Sequence, residues 1–292
     1  MRIMTSNMWG DFFNNPTKLR KDMLYRIYRK YNSDVIGFQE AAAGWYDVDV
    51  FWKLGEEYNF VGTECCNHTN STPIAVKKEY TVIAKGHEQL KDTPDCSKSI
   101  TWAVIEKSGE RLAICNTHFW WMRGTEPDEV KKAIGVLEFA IEDHRQLRTS
   151  NSIQLSELML YLHKKYACPV FAFGDMNGTV SEDFFIVYAK NGIENLYDVA
   201  EYKDNICTLH GDPKLGGDGY FHGERATEEY INSCRKRWCL PEENIEDAHL
   251  TSIDHIVALG DNFKVKQYRV IEDEDALSAT DHSPVYVDIE FV

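Results

Sequence analysis

The stretch Pro169-Val170-Phe171-Ala172-Phe173-Gly174-Asp175-Met176-Asn177 decides how this sequence is read. A short apolar run rich in Val and Phe, opened by proline and closed by glycine, is the pattern of a buried strand. At its end come the Asp175 carboxylate and, two residues on, the Asn177 carboxamide. Polar groups just past a buried strand are fixed by the sheet yet open to a ligand. Taken alone, Gly-Asp-x-Asn is an ordinary turn, because Gly, Asp and Asn are turn formers. What accompanies it along the chain gives it meaning.

Upstream, residues 2–7 read as a first strand, and Asn15-Pro16 as a helix start ahead of an amphipathic segment with Leu24, Ile27, Tyr28 and Tyr31 on one stripe. Residues 34–40 form a second short apolar strand ending in Glu40, and 45–58 suits a helix. Strands follow at 73–76, 80–84, 100–106 and 111–117, the last two joined by the hairpin turn Lys107-Ser108-Gly109-Glu110. Two helices, 127–147 and 150–166, lead into the central strand. Beyond it, 181–191 reads as a helix capped by Ser181 and stopped by Gly192. A polar insertion at about 205–250, with a helix around 225–237, precedes three closing strands at 252–259, 265–271 and 285–292. Several strands adjoin with no helix between them, so the pattern predicts mixed sheets with helices outside. No repeat or Pro/Ser linker divides the chain, and residues 1–292 are expected to form a single domain.

Composition sets outer bounds. The chain has 292 residues, 43% of them hydrophobic, and no run approaches a membrane span. The first strand-like segment begins at the first residue, which leaves no room for a signal peptide and leads to the expectation of a cytoplasmic protein. Eight cysteines, none in a Cys-x-x-Cys pair, fit reduced thiols, with Cys115 and Cys168 inside apolar runs. The patch Cys207, His210, His222, Cys234 and Cys239 lacks regular zinc-ligand spacing. Sequons at Asn67, Asn70 and Asn177 matter only in a secreted protein, and a glycan at Asn177 would block the candidate site. A net charge of −15 gives no general basic face for nucleic acid, though a polyanion can still be handled through a local patch and metal ions.

Polar groups collect at the ends of the predicted strands: Asn7, Glu40, Asn116 and His118, Asp175 and Asn177, Asp254 and His255, Asp281 and His282. Each alone has a structural reading as a cap, a turn residue or a satisfied histidine. Their recurrence is the signal. The ordered motifs Ser6-Asn7-Met8-Trp9, Gly37-Phe38-Gln39-Glu40, Asn116-Thr117-His118, Gly174-Asp175-Met176-Asn177, Ile253-Asp254-His255-Ile256 and Thr280-Asp281-His282-Ser283-Pro284-Val285 span nearly the whole chain. In this order the set resembles the endonuclease/exonuclease/phosphatase superfamily, of the bacterial type with a deoxyribonuclease I-like fold. The resemblance implies an α/β (α+β) four-layer sandwich of two mixed β-sheets flanked by helices.

The family hydrolyses phosphoesters with water, which requires charge neutralised on phosphate oxygens and a water held in line with the leaving oxygen. By resemblance, Glu40 is the principal ligand of Mg²⁺ (or Mn²⁺), with Asn7 beside it and Asp281 as a further ligand. Asp175 orients or deprotonates the attacking water and Asn177 positions it. His282, its ring oriented by Asp254, stabilises phosphate charge or takes part in proton transfer. His118 is a donor to a phosphoryl oxygen. Some members place an acid behind that histidine, and Asn70-Ser71-Thr72 offers none. Arg145, Arg148 and Gln154 resemble positions that brace the site.

Trp120, Trp121 and Arg123, directly after His118, read either as a substrate platform with Arg123 on phosphate or as a plug over the sheet end. The insertion, with Arg225, Arg235, Lys236 and Arg237, is a second place for specificity. No Gly-x-Ser-x-Gly elbow, Walker loop or dinucleotide fingerprint occurs, so acyl hydrolases, nucleotide switches and dehydrogenases fall away. The expectation is a metal-dependent phosphodiesterase, a nuclease or related enzyme, acting on a phosphoester substrate, nucleic acid among the candidates. The alternatives are a phosphomonoesterase on a phosphorylated sugar or polyol, and a non-catalytic binding module of the same fold. No protein partner is predicted.

Overall fold

Residues 1–11, 16–63, 72–93, 97–121, 145–210 and 247–292 are described in the computed structural model. Runs such as Val170-Phe171-Ala172-Phe173 are apolar on both strand faces, and such a strand needs cover on both sides. The fold supplies it by stacking two sheets and putting helices outside each.

The first sheet holds β1 (Arg2–Asn7), β2 (Val35–Gln39), β3 (Tyr58–Val61), β4 (Ile74–Lys77), β10 (Tyr202–Lys203), β12 (Phe263–Val270) and β13 (Val285–Phe291), in the order β10-β12-β13-β1-β2-β4-β3. The second holds β5 (Thr81–Gln89), β6 (Ser99–Lys107), β7 (Glu110–His118), β8 (Val170–Asp175), β9 (Ile193–Asn195) and β11 (Asp254–Leu259), in the order β5-β6-β7-β8-β11-β9. Both are mixed: β1 runs parallel to β2 and β7 parallel to β8, while β13 and β11 pair antiparallel.

Alternate residues of each strand serve different layers. Ile3, Val35, Ile114, Phe171, Phe173, Ile256, Val285 and Val287 form the core between the sheets. On the outer face of the second sheet, Ala113, Cys115, Val170 and Ala172 meet Leu155, Met159 and Leu162 of helix Arg145–Tyr166. On the outer face of the first, Met4, Ile36 and Phe38 meet Leu24, Ile27 and Tyr28 of helix Thr17–Tyr31. The result is the expected four-layer α/β sandwich of two mixed sheets flanked by helices.

Local readings differ in a few places. The helix expected at 45–58 is two short helices, Ala43–Tyr46 and Val50–Leu54, followed by β3, because Tyr58–Val61 pairs with β4 and strand pairing overrides the local pattern. Helix Asp183–Lys190 is not capped by Ser181: Ser181 Oγ lies 2.9 Å from Thr179 Oγ1, and Glu182 stands at the N-cap. Gly192, at φ +69°, does follow the helix end. Pro16 is itself the N-cap of Thr17–Tyr31 rather than its first residue. The hairpin after β6 turns through Ser108 (φ 55°) and Gly109 (φ 88°), both left-handed, as a two-residue loop between twisted strands requires. Strands β9 and β10 and helix Glu274–Ala279 are short elements without a periodic signature in the sequence. Most of the helix expected at 127–147, the helix at 225–237 and most of the insertion lie outside the described residues. No helix among the described residues is long and apolar enough to cross a membrane.

Candidate active site

Strand register brings the motifs together. In the parallel pair β7–β8, His118 lies opposite Asp175, and in the antiparallel pair β8–β11, Asp254 lies opposite Asp175. Three side chains from three distant motifs therefore stand in one row at one end of the second sheet. On the first sheet Asn7 closes β1 opposite Gln39 at the end of β2, with Glu40 next. Asp281 and His282 lie just before β13, which runs antiparallel to β1 and so starts at that same end.

The two sheets approach closely there. A Cβ on Gly37 would fall 2.3 Å from the Phe173 ring, so only glycine permits this spacing. Gln39 Nε2 donates to Asn116 Oδ1 at 2.5 Å, and Asn116 Nδ2 donates to the carbonyls of Phe38 and Pro73. Gln39 and Asn116 are thus motif residues whose side chains stitch the sheets together. Gly174, at φ +150°, is required for a similar reason, since a Cβ would lie 1.9 Å from the Thr117 carbonyl oxygen. Three non-glycine residues of the site, Trp9 (φ 53°), Glu40 (φ 53°) and Asn177 (φ 50°), are left-handed. Such conformations cost on the order of 1–3 kcal/mol and persist where the surroundings over-determine them.

Asp175 is the centre of this arrangement. Its Oδ2 accepts from Asn7 Nδ2 at 2.9 Å and its Oδ1 from the Asn177 backbone N–H at 2.9 Å. His118 Nε2 lies 3.4 Å and His282 Nε2 3.9 Å from Oδ2. Behind His282, Nδ1 is 2.8 Å from Asp254 Oδ2, the expected carboxylate–imidazole pair. Asn177 Nδ2 donates to the Phe119 carbonyl at 3.1 Å, which fixes the loop after β8.

Burial and neighbouring charge separate these groups. Burial raises the Asp175 carboxyl from an ordinary 3.8 to about 7, with Asp254 adding to the rise and His282 opposing it. Burial alone would lower His282, but Asp254, Asp281 and Asp175 together hold it well above the usual imidazole range. His118 moves the other way, pushed well below that range by burial first, then by the positive charges of Lys98 and His282. A charged and a neutral histidine therefore flank one carboxyl group, the arrangement in which acid and base roles separate.

Lys98 joins the site from outside the sequence motifs. It is 3% exposed, and its Nζ lies 2.7 Å from His118 Nε2. An ammonium has only donors, so Nε2 is the acceptor in this contact. A cation thus meets the same ring nitrogen of His118 that faces Asp175. Thr72, in the stretch that lacked an acid, bonds instead to Ser99 and Thr101 hydroxyls. A lone Lys ahead of a strand carries no sequence signal of this kind.

On the other side, Glu40 Oε2 accepts from the Gly10 N–H at 2.8 Å and Asn7 Oδ1 from the Trp9 N–H at 2.9 Å. The loop bearing those amides is held by Arg20, fully buried, whose guanidinium donates to the carbonyls of Met8, Trp9 and Ala279. Burial lowers Arg20 to about 10, while Asp281 and Glu40 favour its charge. Among the described residues, Glu40, His118 and Asp175 offer ligand atoms within 4.8 Å of one another, as do Asp175, Asp254 and His282. Asp281, expected as a further ligand, belongs to neither group; the carboxylate oxygens of Glu40 and Asp175 are donors of the kind that suits a hard cation such as Mg²⁺.

Other expectations fare unevenly. Trp120 has no exposed surface, which corrects its reading as a substrate contact. Phe119 and Trp120 are both buried, the former against Phe184, and Trp120 N–H and C=O are taken by Asn151 and Arg148. Trp121 is half-buried, and Arg123 lies outside the described residues. Arg148 does brace this region: fully buried, it donates through Nε and Nη2 to both Glu182 oxygens at 2.7 and 2.9 Å. Gln154 is spent on the Lys91 N–H and the Gln89 carbonyl, and Arg145 is exposed. Of the irregular Cys/His patch, Cys207 and His210 are buried, and His222, Cys234 and Cys239 lie outside the described residues.

No protein-family model matches the chain, and no curated protein sequence matches it. Solved structures do. An endonuclease/exonuclease/phosphatase family protein from Bacteroides thetaiotaomicron aligns over 100% of this chain and 98% of its own, with a TM-score of 0.68 and 16% identity. A mannosyl-6-phosphatase from the same species aligns over 100% of both chains, with a TM-score of 0.66 and 16% identity. TDP2 from Caenorhabditis elegans, in truncated form, aligns over 100% of this chain and 97% of its own, at 0.67 and 15%. At such identities the likeness is one of fold, and the chain has the fold of the endonuclease/exonuclease/phosphatase superfamily.

Proposed function

We propose that the protein is a metal-dependent phosphoesterase, a phosphodiesterase first of all, that hydrolyses its substrate by in-line attack of water. The observation that carries this reading is the setting of Asp175: buried, raised to about 7, held by Asn7 and Asn177, and flanked by a neutral and a charged histidine. A carboxylate so placed takes a proton from water at neutral pH.

In this reading Asp175 accepts the proton of the attacking water and Asn177 sets the position of that water. His282, charged and oriented by Asp254, faces the phosphoryl oxygens. Because His118 Nε2 accepts from Lys98, the positive charge on that flank belongs to the lysine. Glu40, with Asn7 and Asp281, would hold Mg²⁺ or Mn²⁺. Such an ion supplies charge neutralisation on the phosphate oxygens. Half-buried Trp121 supports a contact with the non-phosphate part of the substrate.

A phosphomonoesterase acting on a phosphorylated sugar is the second reading, supported by likeness to a mannosyl-6-phosphatase along the full length of both chains. The test is product release with Mg²⁺, with and without chelator, from single-stranded RNA, double-stranded DNA, sphingomyelin, an inositol polyphosphate and a hexose 6-phosphate. Chelator-sensitive cleavage of one class, lost in Asp175→Asn, supports the assignment and selects diester or monoester. Silence across the panel with no metal bound by the protein would favour a binding module.

A further inference from the structure

The start of the polar insertion is built into the site. Residues 207–210 run between the start of β11, which carries Asp254, and the turn that carries Asp281 and His282. Strand β9 covers the edge of β11 only from Val257 to Leu259. Toward Asp254 that edge has no strand beside it among the described residues, and its amides need acceptors. Thr208, fully buried, provides one: its Oγ1 accepts from the N–H groups of Ile253 at 3.2 Å and Asp254 at 3.3 Å. Its carbonyl accepts from the Ser283 N–H at 2.7 Å. The next two residues continue the contact, with Leu209 bridging to His282 and the His210 N–H donating to the Asp281 carbonyl at 3.1 Å.

One residue thus grips the backbone beside both members of the Asp254–His282 pair, whose side chains meet at 2.8 Å. On its other side the turn is held by Thr280, whose Oγ1 accepts from the His282 N–H at 3.2 Å and donates to the Asn7 carbonyl at 2.9 Å. Such a hydrogen bond is short only if both backbones are placed to within a few tenths of an ångström. β11 belongs to the second sheet and the turn that carries His282 leads into β13 of the first, so among the described residues no strand ladder sets one against the other. We infer that Thr208 is a positioning residue for the Asp254–His282 pair, acting through its Oγ1 and its carbonyl. The inference rests on the phosphoesterase reading for its effect on turnover, but its structural part stands apart from it. In this view residues 207–210, where the insertion begins, set the geometry of the histidine facing the substrate.

Thr208→Val keeps the side-chain shape and removes the acceptor, Thr208→Ala removes it without adding bulk, and Thr208→Ser retains it. In the metal-loaded full chain, Thr208→Val is expected to lower kcat about 10–100-fold with KM little changed, the range seen when a bond orienting a site residue is lost. Thr208→Ser is expected to restore it. Amide exchange at Ile253 and Asp254 should quicken in Thr208→Val and Thr208→Ala but not in Thr208→Ser. The low-field Nδ1 proton resonance of His282 should shift with it. These two readouts need no substrate, so an inactive wild type would count against the phosphoesterase reading and leave this one to be judged by exchange and resonance. Unchanged exchange and an unmoved His282 resonance in both Thr208→Val and Thr208→Ala would overturn it. So would equal losses in Thr208→Ser and Thr208→Val, which would point to packing rather than to the acceptor.

Discussion

Asn7 on the first sheet donates from Nδ2 to Oδ2 of Asp175 on the second, across 2.9 Å and 168 residues of sequence. The same carboxamide accepts the Trp9 N–H through Oδ1, so its orientation is fixed at both ends. One side chain therefore links the proposed metal side of the site to the proposed base.

Asp175 is the group whose removal should separate activity from stability. Asp175→Asn is expected to lower kcat by about 10²–10⁴-fold, the usual range for loss of a general base. Asn offers a single acceptor oxygen, so only one of the two N–H groups that meet Asp175 keeps its partner. Burial of a carboxylate is unfavourable, and its removal offsets that loss, so the variant should keep the fold and melt near the wild-type temperature at neutral pH. A large loss of Tm would recast Asp175 as structural.

The raised pKa of Asp175 gives that stability effect a pH dependence. The folded protein holds the proton more tightly than the unfolded chain, whose carboxyl titrates near 3.8. The protonated group's contribution is fully present below that value and lost as pH rises through about 7. In chelated protein, the wild type should therefore lose stability relative to Asp175→Asn between pH 4 and 8. Melting curves of the two across that window check it, and a constant difference would rule out the shift.

Glu40 is half-buried and takes one backbone amide, from Gly10. Glu40→Gln should keep that bond through its amide oxygen while losing the charge. Mn²⁺ affinity measured by titration calorimetry is expected to fall at least about tenfold, with the Tm of the chelated protein nearly unchanged. Retained affinity would move the ion elsewhere in the site.

Removing Lys98 should change His118 in a definite direction. Lys98→Met takes away a positive neighbour, so the His118 imidazole should bind its proton more readily than in the wild type. It should still titrate below an ordinary histidine, because burial is the larger cause. An NMR titration of the His118 ring in both proteins reads this, and no movement would mean that the ammonium does not face Nε2 in solution.

The Arg148–Glu182 pair, with side chains 0% and 4% exposed, should behave as a buried ion pair. Arg148→Met leaves Glu182 charged and unpaired and is expected to cost about 3–5 kcal/mol of stability. Arg148→Met combined with Glu182→Leu should recover much of that loss. Denaturant melts of the two singles and the double form the cycle, and additive losses would show that the pair is not coupled.

The sequence by itself determined which residues could do this chemistry and which strands would carry them. Buried strands have a strong local signature, as in Val170–Asp175, and a carboxylate or histidine at such an end is visible without a structure. The motif order was enough to indicate the two-sheet sandwich. Only the tertiary structure decided the rest. That His118, Asp175 and Asp254 stand in one row follows from strand register, which depends on pairing between segments far apart in the chain. Lys98, Arg20 and Thr208 carry no signal because their roles come from backbone groups and rings brought beside them by folding. Trp120 misled for the converse reason. An aromatic residue after a strand end has the same sequence whether it faces solvent or fills the space beneath Arg148 and helix Arg145–Tyr166, and packing chose the second.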